Sequence, residues 1–192
     1  MDRRELETAA ARATYLRGLT AVPLGLLFVI TGVGNLGWGP LGEPVVFLAC
    51  VTALAAGYAA VTGYYNDRYG RVRLDRRRQL RFTVASFACF GIGLIGGTML
   101  DFRLDLPSSA FAVTFGVAML AWFAICTGLR RDHLLVWGAL IVIGLLPVWG
   151  SLDDRASAGW LPVGVATIVA GILDHRALVR SFGPATELHV GV

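Results

Sequence analysis

Long apolar runs alternate with short charged clusters along the whole chain. Six runs stand out: Leu19–Leu36, Val45–Tyr65, Phe82–Leu100, Ala110–Leu129, Leu134–Gly150 and Trp160–Leu173. None contains Asp, Glu, Arg or His. A helix that crosses a bilayer needs about 20 predominantly apolar residues. The last two runs are short and can borrow flanking residues. The connections fall at Gly37–Pro44, Asn66–Arg81, Asp101–Ser109, Arg130–His133 and Ser151–Gly159, with Pro40, Pro44, Pro107 and Pro162 at or beside the turns. There a missing N–H costs least. The pattern predicts an all-α integral membrane bundle of six transmembrane helices, built as three helical hairpins. Its segments are a cytosolic or interfacial N-terminal helix over 1–17, a six-helix domain over 18–173 and a tail over 174–192.

Composition agrees with that reading. Of 192 residues 56% are apolar and 16% charged, against about 45–50% and about 25% in soluble domains. All 17 basic residues are arginine, which reads as the codon bias of a high-GC genome. Their placement sets orientation, because cytoplasmic segments collect positive charge. The N-terminal segment, the second and fourth connections and the tail hold fifteen of the seventeen; Arg103 and Arg155 are the other two. Both termini are therefore expected in the cytoplasm, and the net charge of +4 is a topology signal rather than a nucleic-acid footprint. The N-terminal segment does not read as a cleaved signal peptide, since Glu5 and Glu7 lie in a long charged region. Asp2 with Glu5 reads as a capping box, and Leu6, Ala10, Ala13 and Leu16 share one helical face.

Three outer turns share a crude pattern: Gly37-Trp38-Gly39-Pro40, Asp105-Leu106-Pro107 and Gly159-Trp160-Leu161-Pro162. Interfacial Trp and turn Pro produce such a pattern without duplication. Small residues allow close helix approach in lipid. They fill the first span (Gly25, Gly32, Gly34), the second (Ala49, Ala53, Ala56, Gly57, Ala60, Gly63) and the third (Gly93 and Gly97 as GxxxG). These three spans are expected to be the tightly packed part. The fifth, without hydroxyl or amide, is expected to face lipid or a partner chain.

Candidate chemistry is sparse. Ionisable residues inside spans mark transport paths and catalysis, and these spans have none. Threonines within spans ordinarily bond back to their own helix. The remaining solute-lining candidates are Thr31, Asn35, Tyr58 and Thr98. The second connection carries Arg68, Arg71, Arg73, Arg76, Arg77, Arg78 and Arg81, enough to contact anionic lipid headgroups or simply to fix topology. Asp132-His133 and Asp174-His175 repeat an acid–imidazole pair at two inner helix ends. Adjacent helical residues diverge by about 100°, so pairing is open between the two motifs rather than within either. As metal ligands they lack HxxxH or HxxE spacing. Cys50, Cys89 and Cys126 lie in apolar runs and read as small hydrophobes. No nucleotide-loop, nucleophile-elbow, zinc-protease or CxxC motif occurs. No catalytic, cofactor or metal residue is predicted.

The segments Tyr64-Tyr65-Asn66-Asp67-Arg68-Tyr69-Gly70-Arg71-Val72 and Asp174-His175-Arg176-Ala177-Leu178-Val179-Arg180 are similar to those of uncharacterised small polytopic membrane proteins of high-GC actinobacteria. The resemblance implies a bacterial membrane location and supplies no site residues.

Three functions remain open. The first is a non-catalytic inner-membrane accessory, partner or sensor subunit. Its partners would be the bilayer, anionic headgroups, and a membrane or cytosolic protein or a second copy. The second is a small permease or channel for a neutral or apolar solute. The third is a membrane enzyme acting on a lipid or isoprenoid through boundary acids such as Glu43, Asp101 or Asp174.

Overall fold

The computed structural model describes residues 16–69, 76–104, 107–148 and 152–182, the side chains of 78, 152, 153, 155, 156 and 182 excepted. The expected N-terminal capping box and interfacial face, Arg71, Arg73 and residues 183–192 lie outside them. All regular structure among the described residues is helical. A 3-10 turn, Gly18–Thr20, leads into α1 (Ala21–Asn35), and a second one, Gly39–Gly42, leads into α2 (Pro44–Tyr69). Helix α3 (Arg76–Gly91) runs through a π turn, Ile92–Gly96, into α4 (Gly97–Arg103). Then follow α5 (Ala110–Cys126), α6 (Arg131–Leu145) and α7 (Leu152–Phe182).

Each apolar run thus forms one rod, with α3 and α4 as a single rod. Four stretches are long and apolar enough to cross a membrane: Gly18–Asn35, Pro44–Tyr69, Gln79–Arg103 and Ser157–Ser181. Helix α5 is apolar but has 17 residues. The 15 residues of α6 span about 22 Å at 1.5 Å per residue, short of a hydrocarbon core about 30 Å thick.

The last run departs most from expectation. The supposed connection Ser151–Gly159 is helical from Leu152, and Pro162 sits inside α7 rather than in a turn. The third turn pattern is therefore helix, with Trp160 packed on Phe28 and Phe111, and the hairpin repeat loses one of its three members. Lipid-buried helices tolerate Pro where neighbouring groups satisfy the freed carbonyl. At the other end α7 continues through Asp174 and His175 to Phe182, so the expected boundary at 173/174 falls within a helix.

Packing also differs from the expected grouping of the first three spans. The closest pair is α1 with α7. A Cβ added at Gly25 would lie 2.7 Å from the Gly164 carbonyl oxygen, and one at Gly164 would lie 2.6 Å from that of Gly25. Gly18 and Gly171 meet in the same reciprocal way, and Gly32 lies against Leu161. Glycines seven apart on two antiparallel helices thus let the backbones touch. The expected GxxxG does pack within the chain: a Cβ at Gly93 would lie 3.0 Å from Phe115, and one at Gly97 would lie 2.8 Å from the Phe111 Cα. By contrast α2 stands apart, with Tyr65 as its one buried residue and open space at Gly57 and Gly63. Its small residues are lined up on a face that meets no other helix among the described residues, and their number in the sequence does not tell which face is covered.

Helix α6 is two-faced. Trp137, Leu140 and Gly144 are buried against α5, whereas Leu135, Val142 and Leu145 are exposed. At one end of the bundle, Asp101 accepts from the Ala110 and Phe111 N–H groups at 2.5 and 3.1 Å, capping α5. The Ser109 N–H donates to the Gly144 carbonyl at 2.9 Å and closes that end.

Candidate functional site

The site lies at the opposite end, where α5 turns into α6. Gly128, with φ +85, reverses the chain in a conformation favourable only to glycine. Arg130 then caps α6 in extended conformation, and Asp132 sits in its first turn, where a carboxylate suits the helix dipole. His133 follows one residue later, facing inward.

Across the bundle α7 presents Asp174. Its Oδ1 accepts from His133 Nε2 at 2.9 Å and from Arg130 Nη1 at 3.0 Å, while Arg130 Nη2 donates to Asp132 at 2.9 Å. His133 is 2% and Asp174 6% exposed. Burying a carboxylate is tolerable only with such compensation. The Phe123 ring stacks on the imidazole at 3.6 Å between centroids. With Nε2 donating, His133 Nδ1 is left without a partner.

The two motifs meet through His133 and Asp174, a pairing the sequence left open. His175 does not enter the cluster. Lying about 100° round α7 from Asp174, it places Nδ1 2.9 Å from the Tyr65 hydroxyl, which also accepts from the Leu19 N–H at 3.1 Å. Arg17 Nη1 donates to Asn66 Oδ1 at 2.9 Å beside it. This second knot ties the C-terminal end of α2 to the segment leading into α1 and to α7. Arg130 and Tyr65 went unmarked in the sequence because one read as a topology charge and the other as a span residue. The order Arg130-Arg131-Asp132-His133 directly after a turn glycine was the available signal.

Two cavities adjoin the cluster. One, of about 460 Å³, has Arg130, His133, Asp174, Arg180, Thr127 and Ser181 among its walls. The other, of about 310 Å³, is ring-lined by Phe82, Phe90, Phe115, Trp122 and Trp137. Phe123 and Asp174 belong to both. In the ring-lined cavity Thr20 and Thr167 bond to backbone carbonyls of their own segments, and Ser86 accepts from Trp122 Nε1 at 3.0 Å. Trp137, 1% exposed, keeps an indole N–H with no partner.

Of the solute-lining candidates, Tyr58 lines this cavity. Thr31 and Thr98 bond back to Leu27 and Leu94 within their helices, as threonines in spans were expected to do, and Asn35 is exposed at the end of α1. None of these three is among the walls of either cavity. Of the arginines proposed for headgroups, Arg68, Arg76, Arg77 and Arg81 are exposed; the placement of Arg71, Arg73 and the Arg78 side chain is outside the described residues. Among the described residues no group of three or more His, Cys, Asp or Glu could hold a metal ion, and Cys50, Cys89 and Cys126 are free. Asp101 is committed to capping and Asp174 to Arg130 and His133.

No protein-family model, no curated protein and no solved structure matches this chain.

Proposed function

We propose that this is a non-catalytic multi-pass protein of the bacterial inner membrane, with six spans and both termini cytoplasmic. It serves as a sensor or accessory subunit whose binding end is the cytoplasmic one. The observation that carries this reading is the Arg130–His133–Asp174 cluster on the walls of two cavities, with His133 and Asp174 buried and Arg130 half-exposed. Buried ionisable groups at membrane depth mark function by default. The alternation of contacts supports six spans: Arg17, Tyr65, Arg130 and Asp174 meet at one end, and Asp101, Ser109 and Gly144 at the other. The arginine-rich segments all belong to the first of these ends, which orients it inward. Helix α2, with Tyr65 as its one fully buried residue and Ala49, Ala53, Ala56 and Ala60 exposed, offers a face for a partner helix or for lipid.

A second reading, a small permease for a neutral or apolar solute, draws on the ring-lined cavity of about 310 Å³ that Tyr58 and Thr167 border. Native mass spectrometry of the full chain from mild detergent tests the binding reading. A stoichiometric retained small molecule or protein is expected. Bare monomer, from several detergents, would overturn it.

A further inference from the structure

We propose that the inner cavity binds an acidic amphiphile, a molecule with a phosphate or carboxylate head on an apolar body, its head held by Arg130 and Arg180. The inference rests on the binding role of this end and names the ligand class.

The charge balance of the wall is the first ground. It carries two arginines against one carboxylate, Asp174, which already accepts from both His133 and Arg130. Of the five N–H donors of a guanidinium, Arg130 gives one to Asp174 and one to Asp132, which leaves donors to spare. Arg180 forms no ion pair among the described residues and reaches the same cavity from the last turns of α7. Charge-assisted bonds from arginine to phosphate or carboxylate are the strong class of hydrogen bond.

His133 supplies the second ground. Its Nδ1 has no partner although the residue is 2% exposed, and a buried polar atom is unfavourable when left unpaired. An acidic head is suited to both states of the ring. Its O–H donates to the neutral imidazole, and its oxygen accepts from the imidazolium.

The third ground separates an amphiphile from a free anion. Phe123 and Asp174 form walls of both cavities, so the head site abuts a space of about 310 Å³ whose walls are mostly rings and aliphatic groups, with Arg17 and Asp174 as its charged members. The cluster also lies at the inner end of the apolar stretch of α7, the level at which anionic headgroups of the cytoplasmic leaflet meet basic side chains.

The test is a titration of the full chain in phosphatidylcholine nanodiscs with dodecyl phosphate, dodecanol and inorganic phosphate, read by intrinsic tryptophan fluorescence, to which the cavity residues Trp122 and Trp137 contribute among five tryptophans. Dodecyl phosphate is expected to saturate the signal. Arg180→Gln, outside any pair that holds the fold, is expected to weaken it by about tenfold or more, and Arg77→Gln in the second connection by less than about twofold. Equal losses from the two variants, or none from Arg180→Gln, would overturn the site. Inorganic phosphate saturating as tightly as dodecyl phosphate would overturn the amphiphile in favour of a free anion. Dodecanol binding equally well would overturn the acidic class and leave the binding end standing. Absence of saturable binding by all three overturns the inference, while native mass spectrometry decides the broader reading independently.

Discussion

His133 Nε2 donates to Asp174 Oδ1 at 2.9 Å, joining the first turn of α6 to α7 across 41 residues of sequence. The same oxygen accepts from Arg130, so one buried carboxylate compensates two donors. Removing the shared acceptor is therefore a different act from removing either donor.

Asp174→Ala leaves Arg130 and His133 both without their acceptor. Breaking a buried pair in this way costs about 3–5 kcal/mol. His133→Ala leaves Asp174 still paired with Arg130 and is expected to cost less, about 1–3 kcal/mol. Thermal unfolding in detergent ranks the two variants, and the reverse order would show that Asp174 is not the centre of the cluster.

The α1/α7 contact depends on missing side chains. Gly25→Leu would drive a Cβ to 2.6 Å from Ile168 and 2.7 Å from the Gly164 carbonyl oxygen, an overpacking expected to cost about 1–3 kcal/mol or more. Gly57→Leu meets nothing within 4 Å and is expected to stay within about 0.5 kcal/mol of the parent. The same unfolding assay compares them. Equal effects would mean that α2, not α7, is the close neighbour of other helices.

Tyr65→Phe keeps the ring and removes the hydroxyl that links His175 to the Leu19 N–H. Loss of that buried link is expected to cost about 1–3 kcal/mol, felt first at the end of α2 that Tyr65 and Asn66 tie to the bundle. Hydrogen-exchange mass spectrometry should show faster exchange over the inner half of α2, with α5 unchanged. Uniform acceleration across the bundle would contradict a local latch.

The rods were legible in the sequence because charge is excluded from spans by solvation, a property of each segment alone. Which rods touch is a property of pairs, and there the reading went astray. Gly18, Gly25 and Gly32 recur every seven residues, as do Gly164 and Gly171, and this shared spacing, rather than the number of small residues in a span, marks the closest pair. The small residues of α2 are more numerous but face no other helix among the described residues. Pro162 read as a turn because the rule for soluble helices was applied in an apolar setting. At the site the residue types were visible as Asp132-His133 and Asp174-His175, but the direction of His175 was not. One step along α7 turns it from α6 toward Tyr65. Arg130 was hidden among the orienting arginines, since position along a chain does not tell a topology charge from a paired one.

Chemical accessibility of Ser181 bears most directly on a cytoplasmic binding end. It lines the charged cavity and is exposed. In a chain with Cys50, Cys89 and Cys126 changed to Ala, Ser181→Cys is treated with a membrane-impermeant maleimide in intact cells and in inside-out vesicles. Modification only in the inside-out vesicles, slowed by dodecyl phosphate, is the expected result. Modification in intact cells would place this end outside and contradict the assignment.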